Sequence, residues 1–97
     1  MFTIDLSDEA LEELRHFRKR DSTMIFNEIE RQLIYQPDVE TRNRKPLRAH
    51  SLGEWELRVD RFRVFYDIDI ENKAVLVKAV GAKVGNRLFI RGEEFLL

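Results

Sequence analysis

The chain has no cysteine, which removes disulfides, thiolate nucleophiles and cysteine-built zinc sites in one stroke and suits a reducing compartment. Histidine is almost as scarce: His16 and His50 are the only two, far from any metal-ligand spacing. Four glycines and two prolines leave no glycine-rich phosphate loop and no nucleophile elbow. No window approaches the roughly 20 apolar residues of a membrane span. The opening Met1 to Asp5 lacks the basic and apolar stretches of a secretory signal, so the expected location is the cytoplasm. No metal and no cofactor are expected.

What is present describes one charged globular domain, residues 1–97. Hydrophobic residues make up 43% and charged residues 36%, enough for one core without a staple. The formal net charge is only −1, so affinity for nucleic acid by bulk electrostatics is not indicated. The distribution is more telling. Residues 1–40 are net acidic, whereas residues 42–63 carry Arg42, Arg44, Lys45, Arg48, Arg58, Arg61 and Arg63 against Glu54, Glu56 and Asp60.

Phe2 to Asp5 alternates like a short first strand. Ser7 is a good helix N-cap, Asp8 and Glu9 suit a helix start, and Ala10, Leu11, Leu14 and Phe17 share one apolar stripe. The basic run His16 to Arg20 closes that helix. Asp21-Ser22-Thr23 then reads as a second cap, before an apolar face through Ile25, Phe26, Ile29 and Leu33 that Pro37 ends. Residues 36–51 read as a loop with a basic middle. Farther along, Ala74 to Val80 is apolar at nearly every position and reads as an interior strand ended by Gly81. The tail from Arg87 fits either a strand or a helical turn. The expected fold is α+β: a short N-terminal strand and a helical hairpin packed on a small antiparallel β-sheet.

Gly53 to Asp69 spells two strands. Trp55, Leu57 and Val59 alternate in the first, and Phe62, Val64, Tyr66 and Ile68 in the second, so these seven share the buried face. With Asp60-Arg61 as a two-residue turn, Val59 pairs with Phe62 and Arg58 lies across from Arg63, where like charges repel. An anion on that face, most simply a phosphate, would turn the repulsion into binding, because guanidinium groups grip phosphate oxygens in pairs. The competing reading is a solvated face neutralised by Glu56 and Asp67.

Other candidates gather around this pair. Lys83 follows Gly81 and comes close if its strand neighbours the hairpin. Glu56 shares the arginine face and is a candidate general base. His50, which titrates near neutrality, is a candidate proton carrier or an ordinary surface histidine. Lys45 and Arg48 lie in the basic loop and Arg61 in the turn. Phe65 points outward and is a candidate for stacking on an RNA base or for cover by a partner or by the C-terminal tail.

Lys45-Pro46-Leu47-Arg48, Gly53 with Trp55 and Arg58, and the run Phe62 to Ile68 resemble the RelE/ParE superfamily of toxin–antitoxin toxins, YoeB-like members included, over nearly the whole chain. The resemblance implies the α+β fold above. It also implies a metal-independent, ribosome-associated endoribonuclease that cuts mRNA by 2′-hydroxyl attack on the adjacent phosphate and is held by a cognate antitoxin. Arg58, Arg63 and Lys83 match the catalytic basic positions; Glu56, from its place on the arginine face, joins them as candidate proton carrier, and Lys45, Arg48, Arg61, Phe65 and Phe89 complete the expected substrate-contacting set.

Departures from the family accompany the match. Glu56 replaces a RelE lysine and Phe89 a tyrosine common near the C-terminus. Lys45 stands where YoeB-like members carry a glutamate base, and their terminal histidine is missing. Proton transfer then falls to Glu56 or His50, or cleavage is weak or lost. The alternative implied by the ParE branch is a non-catalytic inhibitor of DNA gyrase, or a degenerate toxin kept as an antitoxin-binding corepressor.

Overall fold

The computed structural model describes residues 1–48 and 52–96. The chain opens with β1 (Thr3–Leu6) and two helices, α1 (Asp8–His16) and α2 (Lys19–Leu33). Six strands follow: β2 (Arg44–Pro46), β3 (Trp55–Val59), β4 (Phe62–Asp69), β5 (Ala74–Val84), β6 (Arg87–Ile90) and β7 (Glu93–Phe95). All lie in one sheet of order β2-β3-β4-β5-β6-β7, antiparallel throughout, while β1 pairs with β5 in parallel. The α+β expectation holds, and the expected N-terminal strand joins the sheet parallel to β5.

Ser7 caps α1 as expected, its Oγ accepting the Ala10 N–H at 3.1 Å. The second cap is different. Helix α2 begins at Lys19, before Asp21, and Ser22 donates instead to the Leu14 carbonyl at 2.5 Å, fastening the start of α2 to the end of α1. Ile25, Ile29 and Leu33 of α2 and Leu14 of α1 are buried against Leu57, Val64, Tyr66, Val75, Val77 and Val80 of the sheet. Each such aliphatic side chain contributes about 1.5–3 kcal/mol by leaving water.

Two further expectations are corrected and one open alternative is settled. The segment read as loop 36–51 contains the edge strand β2, whose three residues and proline carry no alternation to betray it. The tail, open between a strand and a helical turn, forms two short strands. Finally, β5 does not stop at Gly81 but runs on to Val84.

Strand β5 also carries a bulge. Phe65 pairs with Ala79 and Tyr66 with Val77, so Lys78 has no opposite number. Because side chains alternate, one extra residue exchanges the faces. Val75 and Val77 point to the helices before the bulge and Val80 and Ala82 after it, leaving Ala79, Gly81 and Lys83 on the arginine side.

On the edge of β5 away from β4, β1 covers Ala74 to Val77 and β6 covers Ala82 to Val84. Between them α1 supplies the hydrogen-bond partners. Ser7 gives its N–H to the Val77 carbonyl and its hydroxyl to the Lys78 carbonyl, both at 2.9 Å, and buried Glu13 accepts the Val80 N–H at 2.6 Å. Burial raises the Glu13 pKa, while that hydrogen bond and the Arg91 charge oppose the rise.

Candidate functional site

The hairpin pairs in the expected register: Val59 faces Phe62 and Arg58 faces Arg63 across β3 and β4. Asp60 takes a left-handed backbone, φ 54°, at the first turn position, a conformation that aspartate tolerates better than most residues. The row continues outward on both sides. Asn43 offers its carbonyl to the Arg58 N–H at 2.7 Å, and Gly81 pairs with Arg63. Beyond Gly81, the Lys83 N–H reaches the Arg61 carbonyl at 2.7 Å, which places Lys83 beside the turn.

These residues surround a cleft of about 250 Å³, lined among the described residues by Arg42, Asn43, Lys45, Leu47, Glu56, Arg58, Arg63 and Lys83. Five cations thus meet one carboxylate. Glu56 pairs across the strands with Lys45, Nζ to Oε2 3.7 Å, and Asp67 with Lys78 at 3.4 Å. The carboxylates that a neutralised face would need are therefore engaged with lysines. Among the described residues, no ion pair within 4 Å includes Arg42, Arg58, Arg63 or Lys83.

Arg63 is aimed as well as placed. Its Nη1 donates to the Asp60 and Phe62 carbonyls, both at 2.8 Å, tying the guanidinium to its own turn. Burial lowers its pKa, Glu56 opposes that and Arg58 adds to it. An arginine remains protonated regardless, so the residue is a fixed positive charge and not a proton carrier. Such a cleft suits an oxyanion with negative charge on several oxygens.

Other sequence candidates fall elsewhere. Phe65 does project to the arginine side but is 1% exposed, covered by Ala79, Leu88, Leu47, Leu52, Ile90 and Phe95. It cannot stack on a base in this arrangement. Phe89 pairs with Ala82 and faces the helix side, where it lines a separate hollow with Glu13, His16, Phe17 and Arg91. Arg61 turns toward α2, lying over the Phe62 ring and reaching Asp21 at 3.4 Å. Arg48 is exposed and does not line the cleft. His50 lies outside the described residues.

Two residues that line the cleft, Arg42 and Asn43, were not singled out from sequence. Their signal was the Arg42-Asn43-Arg44 triplet in the basic stretch, but nothing there distinguishes the members. The structure does: Arg44 is 8% exposed and donates to the Gln32 and Val39 carbonyls, which makes it an internal strut, whereas Arg42 remains exposed.

No family model matches the sequence, and no curated protein matches it. Solved structures do match by shape. A chain of the RelBE2 toxin–antitoxin complex of Mycobacterium tuberculosis superposes with TM-score 0.73 at 24% identity, covering 84% of this chain and 98% of that one. The isolated RelE toxin of E. coli gives 0.69 at 20% identity, covering 87% and 86%. A chain of the archaeal RelE–RelB complex of Pyrococcus horikoshii gives 0.57 at 11% identity, covering 78% and 88%. The fold is that of the RelE toxins.

Proposed function

We propose that this chain is a RelE-like toxin of a toxin–antitoxin pair, and that its cleft holds an mRNA phosphodiester on the ribosome and cleaves it. The observation that carries this reading is the meeting of Arg58, Arg63 and Lys83, without ion-pair partners among the described residues, with the single carboxylate Glu56. In the reaction the 2′ oxygen bonds to phosphorus and the 5′ oxygen departs. Glu56 takes the 2′-hydroxyl proton, its charge steadied by Lys45. Arg63 and Arg58 neutralise the equatorial oxygens as charge builds, and Lys83 stabilises the departing oxygen. Fixed donors aimed at developing charge are the largest lever available to such a site.

A second reading, inhibition of gyrase without cleavage or service as a corepressor, is favoured by one placement: Phe89 lies on the helix side, so no C-terminal aromatic enters the cleft among the described residues. Purified chain in a translation reaction, followed by primer extension, separates the two. Ribosome-dependent cuts that disappear in Arg63→Ala support the nuclease. Intact mRNA with inhibited supercoiling supports the gyrase reading, and cuts that survive Arg63→Ala reject the assigned site.

An antitoxin partner is part of the proposal, supported by the RelB complexes among the structural neighbours. Co-expression with the adjacent reading frame is expected to yield a co-purifying complex. The proposed setting is the cytoplasm, where ribosomes are. Among the described residues no helix is long and apolar enough to cross a membrane, and no group of three metal-ligating side chains forms.

A further inference from the structure

We propose that Arg42 is a second phosphate contact, so that the cleft binds a two-phosphate stretch of single-stranded RNA and not one isolated phosphodiester. The inference rests on the nucleic-acid reading of the cleft and names the substrate length that it requires.

Three features of Arg42 support it. The first is rigidity: Thr41 and Arg44 exchange backbone hydrogen bonds, the Thr41 hydroxyl accepts the Asn43 and Arg44 N–H groups at 3.2 Å, and the Asn43 carbonyl is fixed to Arg58 at 2.7 Å. The buried Arg44 guanidinium then anchors this turn to the end of α2. The second is availability, since Arg42 lines the cleft and no carboxylate among the described residues lies within ion-pair reach of it.

The third is spacing. From Lys83 on β5 to the turn before β2 there are three strand intervals, roughly 14 Å from backbone to backbone at the usual separation. A phosphate centred between Arg63 and Lys83, on β4 and β5, lies about two strand intervals from the turn that carries Arg42, which leaves Arg42 on the opposite wall for a second anion. A neighbouring phosphate of the same strand supplies that anion. With Asn43 beside it, the far wall also presents a neutral donor and acceptor next to the base that this second nucleotide carries.

The test titrates ¹⁵N-labelled full-length chain with two cleavage-resistant 2′-O-methyl RNAs, a dinucleotide with one phosphodiester and a trinucleotide with two, following amide shifts. The wild type is expected to bind the trinucleotide about tenfold tighter, the scale of one charge-assisted hydrogen bond. Arg42→Ala is expected to bind both equally, with a salt slope shallower by about 0.7 for the trinucleotide. Arg42→Lys is expected to recover part of the gain, which a purely structural role would not produce.

A full trinucleotide advantage retained in Arg42→Ala overturns the inference while leaving the cleft reading intact, provided that Arg63→Ala weakens both RNAs. Equal binding of the two RNAs by the wild type overturns it as well. RNA binding indifferent to Arg63→Ala, or no binding, overturns both. Tighter binding of a glutamate-rich peptide than of the trinucleotide, lost in Arg42→Ala, assigns the far wall to an acidic protein segment instead.

Discussion

Glu13 and Val80 are bound to each other across the one stretch of β5 that neither β1 nor β6 covers, carboxylate oxygen to backbone N–H at 2.6 Å. A helix side chain there does the work of a missing strand. Because burial raises the Glu13 pKa in the folded state, the native protein holds its proton more tightly than the unfolded chain. The associated stability is fully present below the ordinary value of 4.5 and is lost as pH rises through the higher folded value. Glutamine keeps the acceptor without the charge. Thermal melts of wild type and Glu13→Gln should therefore diverge in favour of wild type as pH falls from 7 to 4, and Glu13→Ala, which strands the Val80 N–H, should follow the same pH trend but lie about 1–3 kcal/mol below Glu13→Gln throughout.

The repulsion between Arg58 and Arg63 predicts a trade between stability and activity. Arg58→Glu puts opposite charges across the strand pair, and denaturant titration should show a gain of a few tenths to about 1 kcal/mol. The same change should abolish mRNA cleavage on the ribosome. A destabilised Arg58→Glu chain would mean that the two guanidinium groups do not strain the hairpin.

Gly81 is a position where only hydrogen fits. An added methyl would lie 2.8 Å from the Phe89 carbonyl and 3.0 Å from the Ile90 and Leu88 side chains, all on β6. Gly81→Ala should lose about 1–3 kcal/mol as β6 is pushed aside. Hydrogen exchange should locate the loss in residues 87–95 first, before the helix-side core is affected.

Phe65 offers a test that separates packing from binding. Removing a fully buried ring opens a cavity beneath Leu88, and Phe65→Ala should cost about 3–5 kcal/mol. Phe65→Leu, which refills most of that space, should restore stability and leave RNA affinity unchanged. Weakened RNA binding by a stable Phe65→Leu chain would return this ring to the contact surface.

The hairpin was legible because its alternation is uninterrupted on one face and charged on the other, which fixes both register and turn. Phe65 shows the limit of that reasoning. Period two correctly places it opposite the core, but direction is not exposure, and its cover comes from Leu88 and Phe95, far along the chain. Strand β5 hid its bulge for the opposite reason: where nearly every residue is apolar there is no pattern to slip. Arg42 and Arg44 are chemically identical, and only the tertiary placement of the Gln32 and Val39 carbonyls makes one a strut and leaves the other on the cleft wall.

Lys78, which has no residue opposite it on β4, acts as a frame shift written into the backbone. Everything downstream of it in the strand is read in the other phase, so Lys83 owes its side of the sheet to a residue five positions earlier. A lineage that deletes that residue would keep Lys83 in its sequence and lose it from the cleft. In such relatives, an intact set of site residues would conceal an inactive protein, and chain length between the hairpin and the last cation would be the better guide to activity.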